Sequence, residues 1–453
     1  MTSEALFLCD PTDWQRVLIG EYALSQSIGS KKIVIYDFES LGEPIFKSLL
    51  RALGVRSRLK RELFNVLRKQ GIQIDYPNVS TIIYSWFQFF DHSEFPKYIE
   101  SKNPQFLNIY PNLVNLTNEL RISVSDNSRT VRRERAKSRG ILRALRQMNF
   151  HGVELGVLVN GRFTKSLTIR THLNELDVPL RILEYASTQE RYEVFEISPH
   201  SNHELGEKIV NIWNLADAKK REVVADGFFR ILRDRDPSAG INWTSAMITN
   251  SVPEIPENRK VLTFFSSSEK EFVGVRDYIP ENEFQSQASA LNAILEIAPE
   301  EDWIVYLRRH PKRHNSGNLD VEDSIWEQCR KYNHLIEIHP SSHIDSFALA
   351  FKSDVVAHYD SSIGPQLINM GHSKVITLSK TSWSSFDGYH NLRTKDSLRS
   401  YLNNPSDYLP NVKPWAYFRA VYGKKIENFE LDETNMTWVV INPGNRSQAS
   451  ITG

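Results

Sequence analysis

The sequence predicts an α/β protein made of two doubly wound Rossmann-type domains facing a central cleft. Three observations predict it. Runs rich in Val, Ile and Leu alternate with amphipathic segments along most of the chain, the pattern of parallel sheets covered on both faces. The alternation stops in a polar stretch rich in Pro, Ser, Asn and Gly between Asp236 and Pro256, and then restarts. The 453 residues exceed one ordinary core and suit two.

In the first half, strands are expected at Ala5–Cys9, Lys32–Asp37, Thr81–Trp86, Val153–Asn160 and Leu180–Glu184. Helices are expected at Trp14–Ser27, Pro44–Leu53, Arg58–Lys69, Thr130–Gln147 and Thr164–Leu176, followed by a helical region from His203 to about Arg233. In the second half, Val261–Phe265, Trp303–Leu307, Leu335–Ile338, Val355–His358 and Val375–Leu378 read as strands. Glu283–Ile297, Val321–Tyr332, Asp345–Phe351 and Ile363–Met370 read as the helices between them. The polar stretch divides a first domain at residues 1–240 from a second at 241–411. Residues 412–453 form an aromatic helix, Lys413–Tyr422, that packs back on the first domain, and a loose tail.

Composition narrows the function classes. Hydrophobic content of 40% is that of a globular chain, and 55 basic residues balance 55 acidic ones, so the overall field gives no argument for nucleic acid. The two cysteines, Cys9 and Cys329, have no ligand-spaced partner, which predicts a reduced, cytoplasmic protein without structural zinc. No secretory leader or run of ~20 apolar residues is legible. Two basic segments, Arg51 to Lys69 and Arg129 to Arg146, read as solvated helix faces, or as contact with a polyanionic acceptor or with the anionic inner face of the cytoplasmic membrane; nucleic acid ranks below these, because no aromatic stacking set interleaves with the basic residues.

The chemistry gathers at predicted strand ends, where ligands bind in open α/β sheets. Trp303–Leu307 delivers Arg308-Arg309-His310-Pro311, and Val355–His358 delivers Tyr359-Asp360-Ser361-Ser362-Ile363-Gly364. Side chains alternate along a strand, so at most one of Arg308 and Arg309 points with His310. An imidazole, a guanidinium, two hydroxyls and the N–H groups that open a helix suit a phosphate or diphosphate. A plain helix cap is the alternative for Ser361 and Ser362. Ser266, Ser267 and Ser268 close a third strand and suit a sugar, a phosphate, or only their own loop. In the first domain Asn160 and Arg162 end one strand, Glu184 ends the next, and His200 lies beyond it. A carboxylate or imidazole here is expected to take a proton from an acceptor hydroxyl. Asp234-Arg235-Asp236 has the Asp-x-Asp spacing of metal-dependent sugar transferases but enters the linker, and reads as a solvated turn. No metal site is expected.

Arg309-His310-Pro311, Ile338-His339-Pro340 with Asp345–Leu349, Ser353–Val356 and Ser361-Ser362-Ile363-Gly364 resemble the bacterial capsule-polysaccharide transferases that include the Kdo transferases, and more distantly the bacterial sialyltransferases with their HP and Ser-Ser motifs. Phe265–Phe272 with Phe284–Gln287, and Asn160–Phe163 with Glu184, are similar to the same pattern, which covers roughly Val157 to Leu378. The resemblance implies a GT-B-like fold. It also implies metal-independent, inverting transfer of a sugar from a nucleotide donor, a CMP-sugar favoured, to a surface polysaccharide or glycoconjugate, with no cofactor. His310, Ser361 and Ser362 would hold the donor phosphate, with Arg308, Arg309 and Gly364. Asp360 departs from the family's Gly, and Gln366 from its ribose-binding Glu, which leaves the nucleotide open. Transfer of a polyol phosphate from a CDP-glycerol type donor, and a silent glycan-binding scaffold, are the competing readings.

Overall fold

In the computed structural model, the described residues are 3–9, 12–26, 32–41, 58–91, 95–186 (without 102, 118–120, 149 and 151), 190–199, 201–235, 247–267, 283–310, 325–432 (without 385 and 387) and 437–441. The chain forms two compact units, Met1–Pro199 with Gly423–Gly453, and His200–Tyr422. Both are α/β, and both carry a mainly parallel sheet with helices between the strands.

The first unit runs β1 (Ser3–Leu8), α1 (Asp13–Gln26), β2 (Lys32–Asp37), α2 (Arg58–Lys69), β3 (Gln73–Asp75) and α3 (Val79–Phe87). It continues with a small hairpin of β4 (Tyr98–Ile99) and β5 (Ile122–Ser123) around α4 (Tyr110–Thr117). Then come α5 (Ser128–Gln147), β6 (Val153–Val159), α6 (Thr164–Glu175), β7 (Leu180–Tyr185) and β8 (Arg191–Phe195). Thr81–Trp86, expected as a strand, is the body of helix α3. Its β-branched apolar run suits a strand, but Asn78 caps it through the Thr81 N–H, and one helical face, Thr81, Ile82 and Ser85, is buried. The short β3 takes the place at the sheet edge. Pro44–Leu53 and the first four residues of the expected helix Val321–Tyr332 lie outside the described residues, as does the tail after Ile441; the rest of that helix is reduced to a short turn with a 3₁₀ helix at Glu327–Cys329.

The second unit runs α7 (Asn202–Leu215), α8 (Ala218–Arg233), β9 (Lys260–Phe265), α9 (Gln287–Ile297), β10 (Trp303–Arg308), β11 (Leu335–Ile338), α10 (Ser346–Phe351) and β12 (Val355–His358). It closes with α11 (Ile363–Asn369), β13 (Val375–Thr377), β14 (His390–Asn391), α12 (Lys395–Asn403) and α13 (Lys413–Val421). The chain then returns to the first unit as β15 (Lys424–Lys425) and the hairpin β16 (Phe429–Asp432) and β17 (Thr437–Val440).

The division differs from the expected boundary at 240. Helices α7 and α8 belong to the second unit, because Trp415 and Tyr417 of α13 pack there on Phe228, Phe229 and Trp213. Lys413 adds ion pairs to Glu222 and Asp226. The aromatic helix is thus a wall of the second unit. What joins the first unit is β15, paired with β8, and the Phe429 ring, buried in the core beside Leu63 and Tyr192.

The first sheet has the order β15-β8-β7-β6-β1-β2-β3 and the second β11-β10-β9-β12-β13-β14. Every pairing in the second sheet is parallel. Its strands bury both faces, as their nearly unbroken apolar runs require: Val305 and Leu307 enter one core and Ile304 and Tyr306 the other. Register then fixes the site. Ile338, Arg308, Phe265, His358, Thr377 and Asn391 are lateral partners in one row, so all six strands finish at the same level.

Candidate functional site

The residues just past that row form the polar carboxyl edge of the second unit. Two hydrogen bonds stitch three strand ends together. The His310 N–H donates to Ser266 Oγ at 3.0 Å, joining the ends of β10 and β9. Ser267 Oγ donates to the Asp360 carbonyl at 2.9 Å, joining β9 to β12. Gln287 clamps Ser267 from the start of α9, accepting from its N–H at 2.9 Å and donating to its carbonyl at 3.1 Å. Ser266, Ser267, His310, Ser361 and Ser362, far apart in sequence, therefore share one edge.

The arginines divide as strand alternation requires. Arg308 continues the Ile304–Tyr306 face and is buried. Its guanidinium donates to the carbonyls of His339 (2.8 Å) and Ser342 (3.2 Å) and to Ser346 Oγ (3.3 Å). Burial without a carboxylate partner pushes it down to about 10. Arg308 thus braces the β11–α10 loop, with its guanidinium turned into the fold. Arg309 is also buried and lies 3.8 Å from Glu337 of β11. His310 is half-buried at the edge itself.

The Ser-Ser turn rests on a histidine that sequence reasoning passed over. His358, the last residue of β12, is fully buried, and burial pushes it down to about 3, so it is a neutral imidazole at ordinary pH. Its Nδ1 accepts the Ser361 N–H at 3.3 Å, which leaves the proton on Nε2, 2.9 Å from Tyr389 Oη. Gly364 closes over this pair. A Cβ there would stand 2.4 Å from His358 Nε2 and 2.5 Å from Tyr389 Oη, so no larger residue fits. Ser362 holds the N-cap position yet makes no side-chain capping bond, and it is exposed. Gln366 donates to the Ser362 carbonyl one turn back, at 3.0 Å.

Asp360 has left-handed backbone (φ 57°), the conformation that favours glycine. Its carboxylate accepts from the Asn202 amide at 3.1 Å, and the same amide donates to the Lys380 carbonyl at 2.7 Å. Asn202 thus ties the ends of β12 and β13 to the start of α7. Just past β13, Ser379 Oγ and Thr381 Oγ1 are buried without a hydrogen-bond partner. Ser268 and His200 lie outside the described residues.

The carboxyl edge of the first unit has different chemistry. Asn160, also left-handed (φ 64°), donates through Nδ2 to Glu184 Oε2 at 2.7 Å. Burial raises the Glu184 carboxyl above the ordinary glutamate range, outweighing that bond, the Tyr185 N–H and the Arg162 charge. Asn160 Oδ1 is buried without a partner, and the Arg162 guanidinium lies 5.4 Å from the Phe163 ring. At the end of β2, Lys60 bridges Asp37 (2.7 Å) and Glu39 (2.8 Å), while Arg16 pairs with Glu39 at 3.0 Å, all buried. Beside them the Lys165 ammonium donates to the carbonyls of Cys9, Phe38 and Glu39. Asp37 is the last residue of the expected strand Lys32–Asp37, and its partners come from separate elements.

Asp234 ends α8, and Arg235 turns away to pair with Asp345 at 2.8 Å; Asp236 lies outside the described residues. Both cysteines are free and buried. Among the described residues no helix is long and apolar enough to cross a membrane.

No protein-family model matches the chain, and no curated protein does. Solved structures do. Thermosulfurimonas dismutans KpsC, a beta Kdo 2,4 transferase, is 12% identical over 60% of this chain and 80% of its own, with a TM-score of 0.37. The UDP-GlcNAc 2-epimerase of Neisseria meningitidis, bound to UDP-GlcNAc, is 11% identical over 94% and 95%, at 0.26. That of Methanocaldococcus jannaschii, with UDP-GlcNAc and UDP, is 9% identical over 91% and 97%, at 0.29. At these scores the fold class rests on the sheet order and register of the chain itself.

Proposed function

We propose that the protein is a glycosyltransferase that takes a sugar from a nucleotide donor, with a CMP-sugar favoured, and passes it with inversion and without a metal to a glycan or glycolipid acceptor. One observation carries the reading: the ends of β9, β10 and β12 finish level and are stitched by Ser266–His310 and Ser267–Asp360, which puts His310 and the Ser361-Ser362 turn on one edge, on either side of the end of β9. The motif resemblance assigns those same residues to a donor phosphate.

In this reading His310 and the hydroxyls of Ser361 and Ser362 receive the charge that develops on the departing phosphate. His358 does not touch the donor; it holds the Ser361 N–H in place as a neutral acceptor. Arg308 holds the adjacent loop and Arg309 is equally buried beside Glu337, so the donor-phosphate role rests first on His310, Ser361 and Ser362. Ser379 and Thr381 supply further polar groups toward the sugar or nucleoside. Glu184, with its raised pKa and its Asn160 partner, is the base for the acceptor hydroxyl.

Calorimetric titration with CMP, UDP, GDP and CDP-glycerol tests the donor. The expected result is one cytidine nucleotide bound by the wild type and lost in His310→Ala. With the matching sugar donor, His310→Ala should cost about 2.7–4 kcal/mol in transition-state stabilisation, about a hundredfold or more in kcat. Less than threefold would remove His310 from the chemistry, and selective turnover of CDP-glycerol would replace sugar transfer by polyol-phosphate transfer.

A further inference from the structure

Helix α3, Val-Ser-Thr-Ile-Ile-Tyr-Ser-Trp-Phe, contains no charged residue. Its buried face packs on α5: Ser85 Oγ donates to the Ala136 carbonyl at 3.2 Å, and Gly140 leaves the room that Ser85 fills. The opposite face is open. Val79 (58% exposed), Ile83 (37%), Phe87 (58%) and, in the following 3₁₀ turn, Phe90 (48%) recur at helical spacing and form one apolar stripe. The aromatic rings at its end pack on each other, Trp86 against Phe87 at 5.0 Å and against Phe90 at 4.9 Å.

Arginines border this stripe. Helix α5 runs antiparallel to α3 and sets Arg143 over the Tyr84 ring at 4.4 Å and Arg135 over the Phe95 ring at 4.8 Å. Arg139 bonds Gln88 and Asp91. Arg146 is exposed at the end of α5, next to Gln147, which accepts from Asn78 and Thr81 at the start of α3. Of these arginines, Arg135 and Arg139 pair with Asp91.

An uncharged apolar ridge beside a row of cations complements a surface that is apolar inside and anionic at its face. A second copy of the chain is a poor fit, because pairing two such ridges brings both arginine rows together. We propose that α3 and the basic flank of α5 dock the first unit onto an anionic lipid bilayer. Phe87, Phe90, Ile83 and Val79 enter the headgroup boundary, and the arginines meet lipid phosphates. The proposal does not depend on the transfer reaction.

Co-sedimentation of the full chain with phosphatidylcholine vesicles, and with vesicles that also contain phosphatidylglycerol, tests it. Binding should be about tenfold stronger to the anionic vesicles and fall as salt rises. The Phe87→Ser/Phe90→Ser double variant should lose about tenfold, and Arg146→Glu alone a few-fold; Arg146→Glu should unfold at the wild-type temperature, and circular dichroism should show the double variant folded, since its rings are exposed and pack on their aromatic neighbours Trp86 and Phe89. Three results would overturn the proposal: no vesicle binding by the wild type, equal binding to both vesicle types, or undiminished binding by the double variant. A self-association that the double variant abolishes would also overturn it and assign the ridge to a second copy.

Discussion

The carboxyl edges of the two sheets are built from opposite materials. In the second unit the groups past the strand ends are hydroxyls, amides, imidazoles and buried guanidinium groups, and the carboxylates described there are engaged, Asp360 by Asn202 and Asp345 by Arg235. In the first unit the edge holds Glu184, Asp37 and Glu39, with buried ammonium and guanidinium groups placed to balance the last two. The same sheet geometry, ending in different residue types, yields an edge of hydroxyls, amides and imidazoles in one unit and an edge of buried carboxylates in the other, and the proposed donor-phosphate and proton-transfer roles rest on that difference.

The largest expected effect comes from breaking the charge balance at the first edge. Burial raises Asp37, whereas Arg16 and Lys60 outweigh burial at Glu39 and hold it below the usual range. Lys60→Ala removes the ammonium that both acids share and leaves Asp37 without its described ion-pair partner beside Glu39 and Arg16. The cost should be about 3–5 kcal/mol in urea denaturation, as for other buried charge networks that lose one partner. A loss below about 1 kcal/mol would mean that water reaches Asp37 and Glu39, and the contrast between the edges would vanish.

Acid should act on the second edge through His358. The unfolded imidazole takes up a proton near pH 6.5, whereas the buried one resists to about 3. The unfolded chain therefore binds more protons below pH 6.5, and stability is lost as pH falls from there toward about 3. Between pH 7 and pH 5 this should amount to about 2 kcal/mol, and His358→Gln should show that much less acid sensitivity. Glu184 has the opposite sign: its raised pKa contributes stability that is complete below the ordinary glutamate value and is lost as pH rises through the raised one. If His358→Gln keeps the wild-type acid slope, the imidazole is charged in the fold and cannot hold the Ser361 N–H as an acceptor.

How much of this was legible depended on sequence distance. The alternation of strands and helices, the two sheets and the placing of His310 and Ser361-Ser362 at strand ends follow from local patterns. Thr81–Trp86 misled because β-branched residues suit a strand, and only the Asn78 cap and the spacing of Thr81, Ile82 and Ser85 argue for a helix. Glycine at position 364 could be read as part of a motif, but not that it closes on His358 and Tyr389. The ties between Asn202 and Asp360 and between Lys60 and Asp37 carry no local signal, because they arise only after the strands have aligned. Arg308 shows the same limit. Alternation says that it points away from Arg309, and only packing shows that its face is filled by the loop carrying His339 and Ser342.

The smallest effect is the most specific. Ser267 Oγ makes one hydrogen bond across the second edge, to the Asp360 carbonyl, while its backbone is held separately by Gln287. Ser267→Ala deletes the hydroxyl and leaves the clamp, so it should cost only about 1 kcal/mol in stability. The freed carbonyl belongs to a left-handed residue at the start of the Ser361-Ser362 turn, so a loosened turn should weaken nucleotide binding by more than that global loss suggests. Calorimetry on Ser267→Ala and on Ser266→Ala, which removes the other stitch, would show whether the two bonds act together. Simple additivity in the double variant would mean that the strand ends are independent neighbours and that the edge is not one site.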